Sequence, residues 1–218
     1  MMDIGILMKK RRSTRAYLPK LVKRADIEEI ISCAGAAPSA INVQPWEYVV
    51  VYGEEKDRLA RHLLKVQAER KVNCGPGTST PLPDQYAHRS REASMAMKSV
   101  TEEMGLPMNQ FVEEGSCVFY GAPVAIIVTM DQLFPKLRYL DVGLSVSYLL
   151  LAAEAKGLST CPIGLVTAYG DEICDALSIP EGKEVLLVIA LGYADEDAPI
   201  NHVKTHRTEL SEILTWYE

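Results

Sequence analysis

The chain has 218 residues, a length that suits one sizeable domain or two small ones. Hydrophobic residues make up 48% and charged residues 24% of it, which supplies a core and excludes a disordered chain, a collagen-like repeat or a disulfide scaffold. A formal charge of −6 disfavours nucleic acid as a partner unless basic residues are gathered locally.

Five cysteines, at 33, 74, 117, 161 and 174, include no C-x-x-C pair, as expected for reduced thiols in a cytoplasmic protein. The opening Met1-Met2-Asp3-Ile4-Gly5-Ile6 lacks the charged-then-apolar pattern of a secretory signal. The most apolar stretch, 144–153, is about half the ~20 residues of a membrane-spanning helix.

In chain order, 3–12 reads as a short helix with Ile4, Leu7 and Met8 on one face. Asp26 reads as an N-cap with Glu29 closing a capping box. Ile27, Ile30, Ile31 and Ala34 follow at helical spacing until Pro38. Residues 47–52 form a β-branched strand and 54–70 a helix with Leu59, Leu63 and Val66 on one side. The stretch 71–83, rich in Asn, Gly, Pro, Ser and Thr, is a mobile loop and a candidate lid. Helices are expected over 84–105 and 107–114, then a buried strand over 123–130.

Residues 137–156 make a long helix, apolar nearly all round, suited to a core or a subunit interface. A short strand or loop at 159–166, a helix over 171–177, an apolar strand over 184–192 and a terminal helix over 208–217 complete the order. Few strands separated by helices give a mixed sheet of the α+β or α/β class in a single domain over 1–218.

Eight of the 23 basic residues fall between 9 and 24, where no acidic residue interrupts them. Arg11 and Arg15 are four apart and would share a helix face, with the Ser13 hydroxyl beside them. Guanidinium forks grip phosphate through paired hydrogen bonds; a solvated basic surface is the alternative. A second polar cluster is Ala37-Pro38-Ser39-Ala40-Ile41-Asn42-Val43-Gln44-Pro45-Trp46. There Ser39, Asn42 and Gln44 sit on a turn braced by two prolines, with amide groups able to read a heteroaromatic edge. A rigid structural loop would look the same. Gly75-Pro76-Gly77-Thr78 is no dinucleotide fingerprint, and neither a Walker-A motif nor H-E-x-x-H is present. His202 and His206 have metal-ligand spacing but no placed carboxylate, so no metal is assigned.

Taken in order, RRSTR, APSAINVQPW, GLSTCPIG and the late KTHR resemble the FMN-dependent nitroreductase family. The agreement runs from about Met8 to Arg207 and is weakest over 54–118. The resemblance implies a nitroreductase-like mixed sheet surrounded by helices, in an intertwined homodimer whose two flavins lie between subunits. It implies that Arg11, Arg12 and Ser13 hold the FMN phosphate and ribityl chain, and that Lys204 and Arg207 return to the phosphate. Arg15 would face flavin N1 and the C2 carbonyl, where reduction deposits negative charge. Ser39, Asn42 and Gln44 would lie near the flavin, and Pro162, Ile163 and Gly164 on one face of it, with the Gly164 backbone near N5.

The implied activity is ping-pong hydride transfer, with NADH or NADPH as donor and a nitroaromatic, quinone or similar small aromatic as acceptor. Reductive dehalogenation, oxygen-linked flavin chemistry and a flavin-binding protein without turnover are the alternatives. No nucleic acid or membrane partner is expected.

Overall fold

The computed structural model describes residues 3–70 and 80–218. Two strands, β2 (Val124–Asp131) and β4 (Lys183–Gly192), form the centre of a four-stranded sheet. The edges are β1 (Trp46–Tyr52) beside β2 and β3 (Ser159–Ile163) beside β4, giving the order β1–β2–β4–β3. Every strand pair is antiparallel; the parallel contribution that makes the sheet mixed is a bridge between Ser13 and Thr160.

The apolar run of β2 has a direct structural reason. Successive side chains of a strand face opposite sides, and here both sides are covered. Val124, Ile126, Val128 and Met130 pack against α2 (Arg24–Gly35) and α6 (Tyr139–Ala155). Ala125 and Ile127 turn the other way, toward α3 (Gly53–Arg70), α5 (Met108–Cys117) and α7 (Gly170–Leu177). A sheet sandwiched between two helical layers needs continuous apolar strands rather than alternating ones. The remaining helices are α1 (Ile4–Lys10), α4 (Asp84–Glu103) and a single turn, α8 (Leu210–Ile213).

Several local expectations are corrected. In α1 only Leu7 is buried, while Ile4 and Met8 are exposed. The cap is Asp3, whose side chain accepts from the Gly5 N–H at 2.6 Å. In α2 the helix begins at Arg24, so Asp26 lies in the first turn rather than at the cap. Its carboxylate and that of Glu29 both reach Lys156 Nζ, at 3.2 and 2.7 Å, tying the start of α2 to the end of α6. This tie replaces the capping box. The expected terminal helix over 208–217 contracts to one turn, because Leu210, Ile213, Trp216 and Tyr217 are all exposed. Without tertiary packing, so short a helix is marginal. Most of the expected lid lies outside the described residues; its last part, 80–83, is loop.

Leu149 is fully buried where α6 meets the sheet. Leu149→Ala is expected to cost about 2–5 kcal/mol of unfolding free energy, read as a lowered urea midpoint with unchanged slope.

Candidate functional site

Beyond α1 the chain leaves the helix at Arg11, with φ −54 and ψ 128, and runs extended along the sheet edge. Ser13 bridges to Thr160 and Tyr17 to Ala194. The Thr14 N–H donates to the Thr160 carbonyl at 3.0 Å, and the Leu18 N–H to the Tyr193 carbonyl at 2.9 Å. An extended segment alternates its side chains, so Arg11, Ser13, Arg15 and Tyr17 share one side. Arg11 and Arg15 therefore do share a face, but by a two-residue period rather than the expected helical one. The Arg15 and Arg11 charges and the Ser13 hydroxyl all act on the Cys161 thiol, though burial still holds that thiol above its usual pKa. Arg12 alternates to the other side and pairs with Glu196 at 3.1 Å.

Arg15 is the centre of this face. Its guanidinium lies 5.8 Å from the centroid of the Tyr120 ring, and among the described residues its buried Nε has no hydrogen-bond partner. Tyr120 is delivered by three consecutive residues in the left-handed region: Phe119 (φ 54), Tyr120 (φ 52) and Gly121 (φ 76). Such backbone is strained for non-glycine residues and concentrates at functional sites. Room for the ring comes from Gly115, where a Cβ would stand 2.6 Å from it. Burial raises the Tyr17 and Tyr120 hydroxyl pKa values, so both phenols stay neutral at physiological pH. Among the described residues neither Arg11 nor Arg15 has a carboxylate partner. A positive face without a local counter-anion, in partly dry surroundings, is suited to an anionic ligand.

The polar turn before β1 forms the second cluster. Ser39 Oγ accepts from the Gln44 N–H at 2.9 Å, and Gln44 Nε2 donates to Asn42 Oδ1 at 3.0 Å. Ile41, Asn42 and Gln44 take φ of 49, 57 and 50. For a β-branched residue such as Ile41 that is a conformational outlier, yet its side chain is 91% exposed. Asp141 holds the turn in place, accepting from the Ala40 N–H at 3.3 Å while paired with Arg138 at 3.0 Å.

Within one chain these clusters stand apart. Ser13, Thr160, Leu191, Val124 and Tyr52 form one rung across the sheet. The 39–44 turn enters β1 at Trp46, on the opposite edge and at the opposite end. Helix α6 measures the gap independently. Lys10 pairs with Glu154 near its end, at 2.9 Å, whereas Ala40 meets Asp141 near its start. The thirteen residue steps from 141 to 154 span about 20 Å at the ~1.5 Å rise per residue of a helix.

The other expected residues are distributed between these landmarks. Pro162 and Ile163 end β3, level with Ile189 and Val188 of β4, and Gly164 opens the turn that follows. Arg207 is exposed, and its Nη1 donates to Thr205 Oγ1 at 2.8 Å and to its own segment's carbonyls; Lys204 is exposed as well. His88 and Arg89 line a small cleft between α4 and the C-terminal strap with Thr205, His206 and Glu212. Tyr120, Gly115, Glu196 and Asn201 are absent from the sequence reading. Only the placement of Tyr120 just before Gly121-Ala122-Pro123 offered a local hint; Gly115 serves Tyr120 five residues on, and Glu196 and Asn201 act through contacts far apart in the chain.

An antiparallel sheet between two helical layers, with an arginine face along one edge that has no carboxylate partner among the described residues, defines a protein of the α+β class. A family model described as the nitroreductase family matches residues 8–193. A 4-nitrobenzoate reductase of Pseudomonas putida is 34% identical over 94% of this chain and 91% of its own length. Nitroreductase NfnB of Mycolicibacterium smegmatis is 32% identical, over 94% and 89% respectively. The crystal structure described as the FMN-dependent nitroreductase NfnB from Mycobacterium smegmatis in complex with NADPH superposes with a TM-score of 0.89, 29% identity and coverage of 98% and 97%. The chain belongs to the nitroreductase family, a class of oxidoreductases.

Burial also governs the thiols. Cys117 is pushed up to about 11 from an ordinary 9.0, and Cys161 is raised too, whereas Cys33 is exposed. A thiol raised on folding stabilises the fold below the unfolded pKa, and that contribution is lost as pH rises through the folded value. Unfolding free energy should therefore fall between pH 9 and about 11, and Cys117→Ala should flatten that decline. Alkylation of native protein at neutral pH should label Cys33 while sparing Cys117 and Cys161, read by peptide mass mapping.

Proposed function

We propose that this chain is an FMN-dependent oxidoreductase that uses NADH or NADPH to reduce nitroaromatics, quinones or similar small aromatic acceptors, and that it works as a homodimer. One observation carries the reading: Arg11, Ser13 and Arg15 lie on one face around a buried Arg15 Nε that has no partner among the described residues. That donor set fits FMN, which presents a phosphate and a ring edge that becomes anionic on reduction. The family membership and the FMN and NADPH named for the M. smegmatis relative support it.

When bound, the flavin supplies two-electron chemistry, accepting hydride from the nicotinamide and returning it to the acceptor in a ping-pong cycle. The chain's own residues bind and orient. Arg15, flanked by neutral phenols, holds positive charge where the flavin N1 and C2 carbonyl edge would lie, stabilising the reduced state in preference to the oxidised one. Arg11 and Ser13 provide charge and hydroxyl for the phosphate tail, with Lys204 and Arg207 closing on it from the C-terminal strap. Arg12 is committed to Glu196 in this structure, so its part in phosphate binding is the weakest element of the set. Pro162, Ile163 and Gly164 would shape one face of the ring, with the Gly164 backbone toward N5.

The separation of the two clusters supports the homodimer. The Ser39, Asn42 and Gln44 turn stands at one end of α6 and the arginine face at the other. An antiparallel pairing of α6 with a second copy across a twofold axis would bring each turn to the partner's arginine face. Leu137, Leu140, Leu144 and Tyr148 give α6 and its approach the apolar stripe this pairing needs, each more than 40% exposed. The strained, exposed Ile41 gains a reason in the same assembly. Intertwining is supported by a second unpaired feature. Residues 183–187 of β4 extend past β3, beside a groove of about 820 Å³ lined by Phe134, Tyr139, Val146, Cys174 and Leu187. Among the described residues nothing covers the apolar tail around Trp216, which is 76% exposed.

The purified protein should be yellow and release FMN on denaturation. Anaerobic NADPH or NADH should bleach it, and a nitroaromatic should restore the colour. Colourless protein that retains no added FMN would overturn the reading, whereas a coloured protein that neither nucleotide bleaches would make it a flavin binder. Arg15→Ala should lower turnover by about a hundredfold, the scale of losing one preorganised charge-stabilising donor. Arg207→Ala should chiefly weaken FMN retention. Leu144→Glu should yield monomer by light scattering and lose flavin together with the dimer.

A further inference from the structure

We propose that Asn201 is a positioning residue that sets the register of the cation segment and thereby aims Arg15. The inference rests on the placement of Arg15 against the flavin argued above, but concerns a residue with no part in it. Asn201 is 1% exposed, and its side chain is committed to backbone alone. Its Oδ1 accepts from the Arg15 N–H at 2.7 Å, while Nδ2 donates to the Ala16 carbonyl at 2.8 Å and to the Asp195 carbonyl at 2.9 Å.

The need for such a pin follows from how loosely the segment is otherwise held. Residues 11–17 join the sheet through isolated bridges at Ser13 and Tyr17, not through a continuous ladder. In an extended chain a slip of one residue exchanges every side chain between the two faces. Such a slip would turn Arg12, Thr14 and Ala16 toward Cys161 and Tyr120, and send Arg11, Ser13 and Arg15 to the Glu196 side. Asn201 grips the Arg15 N–H, which lies between the bridges, and adds a second donor to the Ala16 carbonyl, which already accepts the Asp195 N–H at 3.1 Å as part of the Tyr17 bridge. A carboxamide alone offers acceptor and donors together; a carboxylate in its place would keep the first contact and lose the other two. An apolar residue would suffice if the position were only filler, as its buried neighbour Ile200 shows.

The test compares Asn201→Ala, Asn201→Asp, Arg15→Ala and the Asn201→Ala/Arg15→Ala double variant, each as FMN-loaded protein. Two readouts are taken: the midpoint potential of the bound flavin and hydrogen exchange by peptide. Arg15→Ala should move the potential negative, because reduced flavin loses its cation. Asn201→Ala should move it the same way, and the double variant should be no more negative than Arg15→Ala alone. Exchange should quicken across residues 11–18 and not across β2 or β4. Should Asn201→Ala fail to retain flavin, Asn201→Asp and the exchange profile of the unloaded protein carry the same comparison. An unshifted potential in the Asn201 variants beside a shifted Arg15→Ala, additive shifts, or exchange that quickens throughout the sheet would each overturn the proposal. If Arg15→Ala itself leaves the potential unchanged, the placement of Arg15 fails instead, while quickened exchange over 11–18 would still support the register role.

Discussion

The antiparallel pairing of β2 with β4, buried on both faces, is the constraint from which the remaining geometry follows. Because both strands are apolar over most of their length, with Thr129, Asp131, Lys183 and Glu184 gathered at one end, helices must cover both sides, and α6 is laid across one side with its ends near opposite corners of the sheet. The edge strands then fall at β1 and β3, each joined to one half of the candidate site. What separates the arginine face from the Ser39 turn is therefore not a loop that could bend but the body of the core. Core packing is close to that of a crystal and does not deform continuously.

Among the described residues, left-handed backbone at non-glycine positions falls at Ser178, which caps the end of α7, and otherwise in the two segments that carry candidate ligands or their supports. Ile41, Asn42 and Gln44 precede β1, and Phe119 with Tyr120 precede β2. Ser39 and Asp141 hold the first by hydrogen bonds; in the second the Tyr120 ring lies beside the Arg15 guanidinium, in room that the missing side chain of Gly115 leaves. Tyr120 and Asn201 approach Arg15 through different atoms, one at the guanidinium and one at the backbone. Side-chain direction and strand register are thus controlled separately.

Much of the fold was legible from periodicity. The runs that became β2 and β4 are apolar over most of their length, and Leu59, Leu63 and Val66 mark the buried face of α3 as their spacing requires. Failures came where a tertiary partner outcompeted a local one. Asp26 and Glu29 have capping-box spacing, yet Lys156, 130 residues from Asp26, takes both carboxylates. The spacing of Arg11 and Arg15 suggested a helix, but the segment is captured by a sheet edge that no local pattern announces. Of the site itself, residue types and motif order could be read, and the face they share could not. Nor did sequence reveal that Asn201 bonds across 186 positions to Arg15, since a buried carboxamide in a polar loop has no periodic signature.

The roughly 20 Å of helix between the two ligand clusters has a thermodynamic consequence. Under the proposed assembly neither protomer owns a whole pocket, so cofactor occupancy and subunit association become linked equilibria. Ligand that recognises only the paired state pulls the chains together by mass action, and dilution releases both at once. The flavin would then behave as mortar as well as reagent, and protein concentration would belong among the variables that set its affinity.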